Sequence, residues 1–158
     1  MPEFDRLPRD LEKLFSGQAF AARSRIVLPF LTVDPEGFPR AALLTAAEVR
    51  AISRTDLNVA VRAGSRTAAN LIRREKAALY YLARNSAIWI QATAGRGRTS
   101  DSDPDRQIFP LKVFQVKVDQ ASPEEGMVSL LGGPTFAARH SRSLFSEELF
   151  EELEGART

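Results

Sequence analysis

Cysteine is absent from the 158 residues, and histidine occurs once, at His140. Without cysteine there is no disulfide framework and no thiolate chemistry, a usage that fits a reducing compartment. The single histidine sits in a basic, serine-rich segment, ARHSRS, with no carboxylate cluster beside it, so it reads as a surface residue rather than a metal ligand. The sequence also lacks GxSxG, HExxH and Walker patterns, which leaves nucleophilic, zinc and P-loop mechanisms without carriers. Any catalysis would therefore reside in a bound cofactor. No apolar run approaches membrane-spanning length, and MPEFDRLPRDLEKLF lacks the basic-then-apolar order of a secretory leader, so a cytoplasmic protein with no membrane association is expected. Internal repeats and low-complexity tracts are missing as well.

The composition is otherwise that of a globular protein, with 44% hydrophobic and 27% charged residues. A chain of this length forms one domain, residues 1–158, with a core that needs no staples. The net charge is only +2, but of the 22 basic residues just four are lysines (Lys13, Lys76, Lys112 and Lys117), leaving 18 arginines. Arginine suits bidentate recognition of phosphate or carboxylate, so the bias is either compositional habit or a sign of anionic ligands.

Along the chain, Asp10–Phe15 reads as a short amphipathic helix ended by Ser16 and Gly17. Ile26–Val33 is a β-branched and aromatic strand, Asp34-Pro35-Glu36-Gly37 a turn, and Arg40–Thr45 the returning strand of a hairpin. Pro29 within the first strand argues for an edge position or a bulge. Ala46–Ser53 is open between a helical turn and a strand. Ala77–Ala83 and Ala87–Ala94 form a second hairpin around Asn85 and Ser86, and Gly95–Arg106 is a loop or a pair of ragged strand ends. Ile108–Gln120 is a long strand in which Phe114, Val116 and Val118 face inward and Val113, Gln115 and Lys117 outward. Ser122–Pro134 is turn-rich, and Ser146–Leu153 closes as a helix capped by Ser146. About six strands with short turns and helical ends point to a small antiparallel barrel.

The segment Leu57–Arg74, LNVAVRAGSRTAANLIRR, carries the candidate site. Leu57, Val59 and Val61 alternate with Asn58, Ala60 and Arg62 as in a half-buried strand. The chain breaks at Ala63-Gly64, Ser65 is an N-cap candidate, and Ala68, Leu71 and Ile72 form the apolar stripe of a short helix. Arg66 falls in the first helical turn, where the macrodipole disfavours a cation by about 0.3–1 kcal/mol. It either points into water or, with Ser65, Thr67 and the free first-turn N–H groups, holds an anion such as a phosphate.

Three pieces in this order, LTVDPEG, PRAALLT and VAVRAGSRTAANLIRREKAALYYL, resemble the pyridoxamine 5'-phosphate oxidase-like family of FMN-binding split barrels. The resemblance runs over residues 20–120, with 121–158 as a C-terminal extension. It implies a mainly β fold with some α: a six-stranded antiparallel split β-barrel with short flanking helices. It further implies an FMN-dependent oxidoreductase, as a homodimer with its flavin sites at the subunit interface. By this resemblance Ser65, Arg66, Thr67 and Arg40 would hold the FMN phosphate. The ring would lie along Ala42, Leu43, Leu44 and Thr45, and the backbone at Ala60, Val61 and Arg62 would touch the flavin. Trp89 and Gln91 would reach the site from the partner chain, with Trp89 equally readable as interface or core. Thr67 stands where the family commonly has lysine, and Thr45 where the oxidase itself carries a substrate-binding lysine. The C-terminal segment is a Glu-rich helix rather than the oxidase's tryptophan- and arginine-bearing end. The oxidase's own activity is therefore not expected.

The same barrel would also accommodate a deazaflavin or haem, or persist as a cofactor-free binding protein. A reading from another class is a nucleic-acid-binding module using Arg62, Arg66, Arg73, Arg74, Arg96 and Arg98, which would weaken steeply with salt. Against it, Phe30, Tyr80, Tyr81 and Trp89 lie in apolar runs rather than on a stacking surface.

Overall fold

A computed structural model of the chain describes residues 2–18, 24–120, 131–135 and 146–155. His140 and most of the turn-rich 122–134 segment lie outside these residues. Nine strands form one antiparallel sheet: β1 (Glu3–Phe4), β2 (Val27–Val33), β3 (Pro39–Thr45), β4 (Val49–Ala51), β5 (Asp56–Arg62), β6 (Lys76–Ala83), β7 (Ser86–Ala94), β8 (Arg98–Thr99) and β9 (Arg106–Gln120). The six expected strands are the six long ones; β1, β4 and β8 are short additions of two or three residues. Among the described residues three helices accompany them: α1 (Arg9–Leu14), α2 (Arg66–Arg74) and α3 (Glu147–Glu152).

The sheet runs β3-β2-β6-β7-β9-β5-β4, with β1 and β8 pairing on β9. Its two ends, β3 and β4, are joined by a single 3-10 turn at Ala46–Glu48, but no ladder among the described residues links them. The sheet thus curls until its edges meet without closing, which is the split of a split barrel. The segment left open between helical turn and strand, Ala46–Ser53, contains both in succession.

The barrel is filled by alternate residues of the long strands, among them Leu28, Phe30, Val59, Leu79, Ile90 and Val116, all fully buried. Leu7, Leu11 and Phe15 around α1 join the same core. Burying a side chain of this size stabilises the fold by about 1.5–3 kcal/mol. A second cluster lies on the other face of β5 and β9, where Ala60 and Ile108 meet Leu149, Phe150 and Leu153 of the α3 segment.

Four expectations are corrected by these contacts. Leu57–Arg62 is not half-buried: Asn58 is 3% and Ala60 0% exposed, because α3 covers the outer face of β5. The Asn58 Nδ2 donates to the Leu153 carbonyl at 2.6 Å, so its polarity is satisfied inside. Phe114 is 69% exposed rather than inward and Val113 is buried rather than outward, because Gln91 pairs with Gln115 while Ala92 pairs with Val113. Phe114 is the extra residue of a β-bulge, and the inward phase passes from Val113 to Val116 across it. Pro29 lies on an interior strand, where the ladder from β2 to β6 comprises only Phe30↔Leu79 and Leu31↔Ala78 and asks nothing of its missing N–H. Ile72 is 63% exposed, and the buried stripe of α2 is completed instead by Asn70, whose Nδ2 donates to Thr32 Oγ1 at 3.0 Å.

Candidate functional site

The turn from β5 into α2 is built as its sequence suggests. Gly64 adopts φ +67, a left-handed conformation that glycine enters without a Cβ penalty. Ser65 then caps α2, its Oγ accepting from the Ala68 N–H at 3.1 Å. The helix is pinned to the β2–β3 hairpin by Asn70 and, at its far end, by Arg74, which donates to the Asp34 and Pro35 carbonyls. The N–H groups of its first turn have no intrahelical acceptor, as at any helix start.

Beside this turn lies an open groove of about 550 Å³. One wall is Ala42, Leu43 and Leu44 of β3; Val61 and Arg62 end β5 on another side, and Ser65 and Thr67 open the helix. Glu48, Asp103, Asp105 and Arg106 complete the lining. The groove thus joins an apolar strand wall to a polar helix start, with charged groups along the remaining rim.

Those charges are unevenly committed. Arg106 Nη1 donates to Glu48 Oε1 at 2.5 Å, and its Nε lies 3.8 Å from Asp103 Oδ2. The other oxygen of Glu48 accepts from the Thr45 N–H at 2.8 Å, closing the T-x-x-E box around the 3-10 turn. The guanidinium groups of Arg62 and Arg66 have no hydrogen-bond or ion-pair partner among the described residues, and both side chains are exposed. Among the described residues the groove therefore presents one unpartnered guanidinium on its lining, Arg62, and a second close by in sequence on the helix start, Arg66.

The structure sorts the sequence candidates into two groups. Ala42, Leu43, Leu44, Val61, Arg62, Ser65 and Thr67 converge on the groove. Thr45 is 2% exposed and occupied with Glu48, and Ala60 is turned under α3, so neither lines it. Arg40 and Arg66 are exposed but stand outside the lining. Trp89 and Gln91 belong to another region of the same chain: Trp89 packs against Tyr80 at 5.1 Å between ring centroids, and Gln91 borders a separate groove of about 400 Å³ with Leu31, Ala78 and Phe114. Of the residues that sequence reasoning missed, Glu48 was detectable from its three-residue spacing after Thr45. Asp103, Asp105 and Arg106 were not, because only the β5–β9 register, which sets Arg62 opposite Arg106, carries them to the site.

The loop that supplies Asp103 and Asp105 is held from outside the barrel. One carboxylate, Glu152 of α3, accepts from Arg98 Nη1 at 2.7 Å, Ser100 Oγ at 2.6 Å, the Asp101 N–H at 2.8 Å, and the N–H and Oγ of Ser102 at 3.1 and 2.5 Å. Burial alone would raise its pKa. The hydrogen bonds from Ser100, Ser102, the Asp101 N–H and Arg98 outweigh that and hold the carboxyl well below the usual carboxylate range.

Among the described residues no cluster of histidine, cysteine and carboxylates could hold a metal, and no helix is long and apolar enough to cross a membrane. Two of the arginines considered for nucleic acid are tied up internally, Arg98 on Glu152 and Arg74 on the hairpin carbonyls.

No protein-family model matches the chain. An uncharacterised Bacillus subtilis protein, YclD, is 29% identical over 112 residues, 70% of this chain and 73% of that protein. Among solved structures, an FMN-binding protein from Syntrophomonas wolfei superposes with a TM-score of 0.56 at 14% identity, over 72% of this chain and 89% of its own. A Lactobacillus delbrueckii protein provisionally described as a pyridoxamine 5'-phosphate oxidase gives 0.54 at 17% identity, over 74% and 99%. An F420 reductase gives 0.54 at 10% identity, over 70% and 98%. The curled sheet, whose end strands share no ladder among the described residues, and these superpositions agree: the chain has the split-barrel fold of the pyridoxamine 5'-phosphate oxidase-like and FMN-binding proteins.

Proposed function

We propose that the chain binds FMN in the groove beside Ser65 and acts, as a homodimer, as a flavin-dependent oxidoreductase. The observation that carries this reading is the convergence of an apolar strand wall, Ala42–Leu44 with Val61, on a helix start bearing Ser65 and Thr67, beside Arg62 at the end of β5, whose guanidinium has no partner among the described residues. Such a groove suits a flat apolar ring at one end and a phosphate at the other. The spare acceptor capacity of Asp105 and Asp103 suits the hydroxyls of a polyol chain between them. Bound flavin would supply the electron and hydride chemistry that no side chain here can perform. The chain's own residues would orient the ring, neutralise the phosphate and limit solvent access. The FMN-binding and F420 reductase proteins of the same fold support the reading without fixing the flavin type.

The second chain enters the proposal through an uncovered face. Leu43, Trp89 and Phe114 are 60%, 42% and 69% exposed on the outside of the sheet, more apolar surface than isolated exposed residues explain. Leu43 belongs both to this face and to the groove wall, so a copy seated there would extend the groove and could bring its own Trp89 or Gln91 to it.

Absorbance of freshly purified protein, followed by titration with FMN, riboflavin and F420, tests the ligand. Uptake of FMN in preference to F420, with FMN tighter than riboflavin, is expected. Protein that is colourless and takes up none of the three refutes the reading, and preference for F420 replaces FMN by a deazaflavin. Sedimentation at twice 17.5 kDa checks the dimer.

A further inference from the structure

We infer that Glu152 is a positioning residue of the groove: from the far side of the barrel wall it clamps the 98–106 segment in the conformation that forms the groove's acidic rim. The hydrogen bonds run outward from one carboxylate. Among the described residues Glu152 collects five donors, all from Arg98–Ser102. Ser100 Oγ, held in this way, accepts from the Asp103 N–H at 3.0 Å, while the Ser100 N–H donates to the Arg106 carbonyl and the Arg106 N–H to the Asp103 carbonyl, each at 2.9 Å. The Asp105 carbonyl then accepts from the Ala63 N–H at 2.7 Å, in the turn that leads to Ser65.

Both ends of the relay are constrained. Phe150 and Leu153 seat the α3 segment on Ala60 and Ile108, so Glu152 is not free to follow the loop. At the groove, Arg106 reaches Glu48 and so ties the loop to the 3-10 turn between β3 and β4. A surface glutamate with one ion-pair partner would contribute little. A carboxylate with every lone-pair site filled, 14% exposed, is instead a fixed point from which the rim is built. The α3 segment is therefore part of the site although none of its residues lines the groove.

The flavin titration in this test rests on the FMN reading; the first readout does not. In the full chain, amide hydrogen exchange is compared for wild type, Glu152→Gln, Glu152→Ala and the double variant Ser100→Ala/Ser102→Ala, which leaves the apolar contacts of α3 intact. The expected result is at least tenfold faster exchange at Ala63 and Arg106 in Glu152→Ala and in the serine double variant, with Glu152→Gln intermediate and Phe150 still protected in the serine variant. FMN affinity should fall at least fivefold in the same variants. Wild-type exchange at Ala63 and Arg106 in variants whose Asp101 and Ser102 amides have lost protection would overturn the inference. Accelerated exchange with unchanged FMN affinity would overturn the link between clamp and ligand. A wild-type chain that takes up no FMN strikes down the flavin reading, and the exchange rates then decide the role of Glu152 by themselves.

Discussion

The α2 start and the Glu152 clamp lie on either side of the 98–106 segment and solve opposite electrostatic problems. At Glu152 a single anion is surrounded by donors until nothing is left to bind. At and beside the helix start, the guanidinium groups of Arg66 and Arg62 have no partner among the described residues, and the first-turn N–H groups lack intrahelical acceptors. Saturation makes the first a structural joint. The surplus at the second is what an anionic ligand would use, and it costs the fold little because those side chains remain in water.

The contrast can be broken most forcefully at the saturated end. Glu152→Ala should lower unfolding free energy by about 2–3 kcal/mol, since it strands several partly buried donors at once; urea denaturation measures this, and a loss below about 0.5 kcal/mol would make the clamp ornamental. Arg62→Ala should behave inversely. Stability should stay within about 0.5 kcal/mol while FMN affinity falls about tenfold, or 1.4 kcal/mol, in a fluorescence titration. Ser65→Ala falls between the two regions: loss of the cap to the Ala68 N–H should cost about 1 kcal/mol in thermal unfolding, with FMN binding weakened as well.

The smallest effect sharpens the contrast through pH. The Glu152 carboxyl is depressed in the folded protein, so its contribution is complete above the ordinary carboxylate pKa and is lost only as pH falls toward the depressed folded value. The stability difference between wild type and Glu152→Gln should therefore be flat from about pH 8 to about pH 5 and shrink below about pH 4. A difference that already declines near pH 6 would mean that Glu152 is not held as an anion by its donors.

Much of the fold was legible because its signals are local. The Asp34–Gly37 turn, the hairpin turning at Asn85 with φ +56, the Ser65 and Ser146 caps and the Gly64 break stand where residue chemistry puts them. Phe114 and Asn58 were misread for a shared reason. Period-two alternation says that a strand has two faces, but not where a bulge exchanges them or whether a helix from ninety residues away covers the second. Only in the folded chain does Ile72 yield its place to a buried asparagine, because Thr32 supplies the partner that makes that burial affordable.

By itself the sequence determined the strand-turn-helix of 57–74, its cap and its uncompensated arginines, since each depends on neighbours within one or two turns of chain. Tertiary structure decided which candidates meet. Ala42–Leu44, Val61, Arg62, Ser65 and Thr67 share a groove, while Thr45 and Ala60 face away from it, because strand register and the covering of β5 by α3 are long-range agreements that no local pattern encodes. The same holds for Asp103, Asp105 and Glu152: a carboxylate becomes a rim or a clamp only when distant backbone delivers, or withholds, the donors around it.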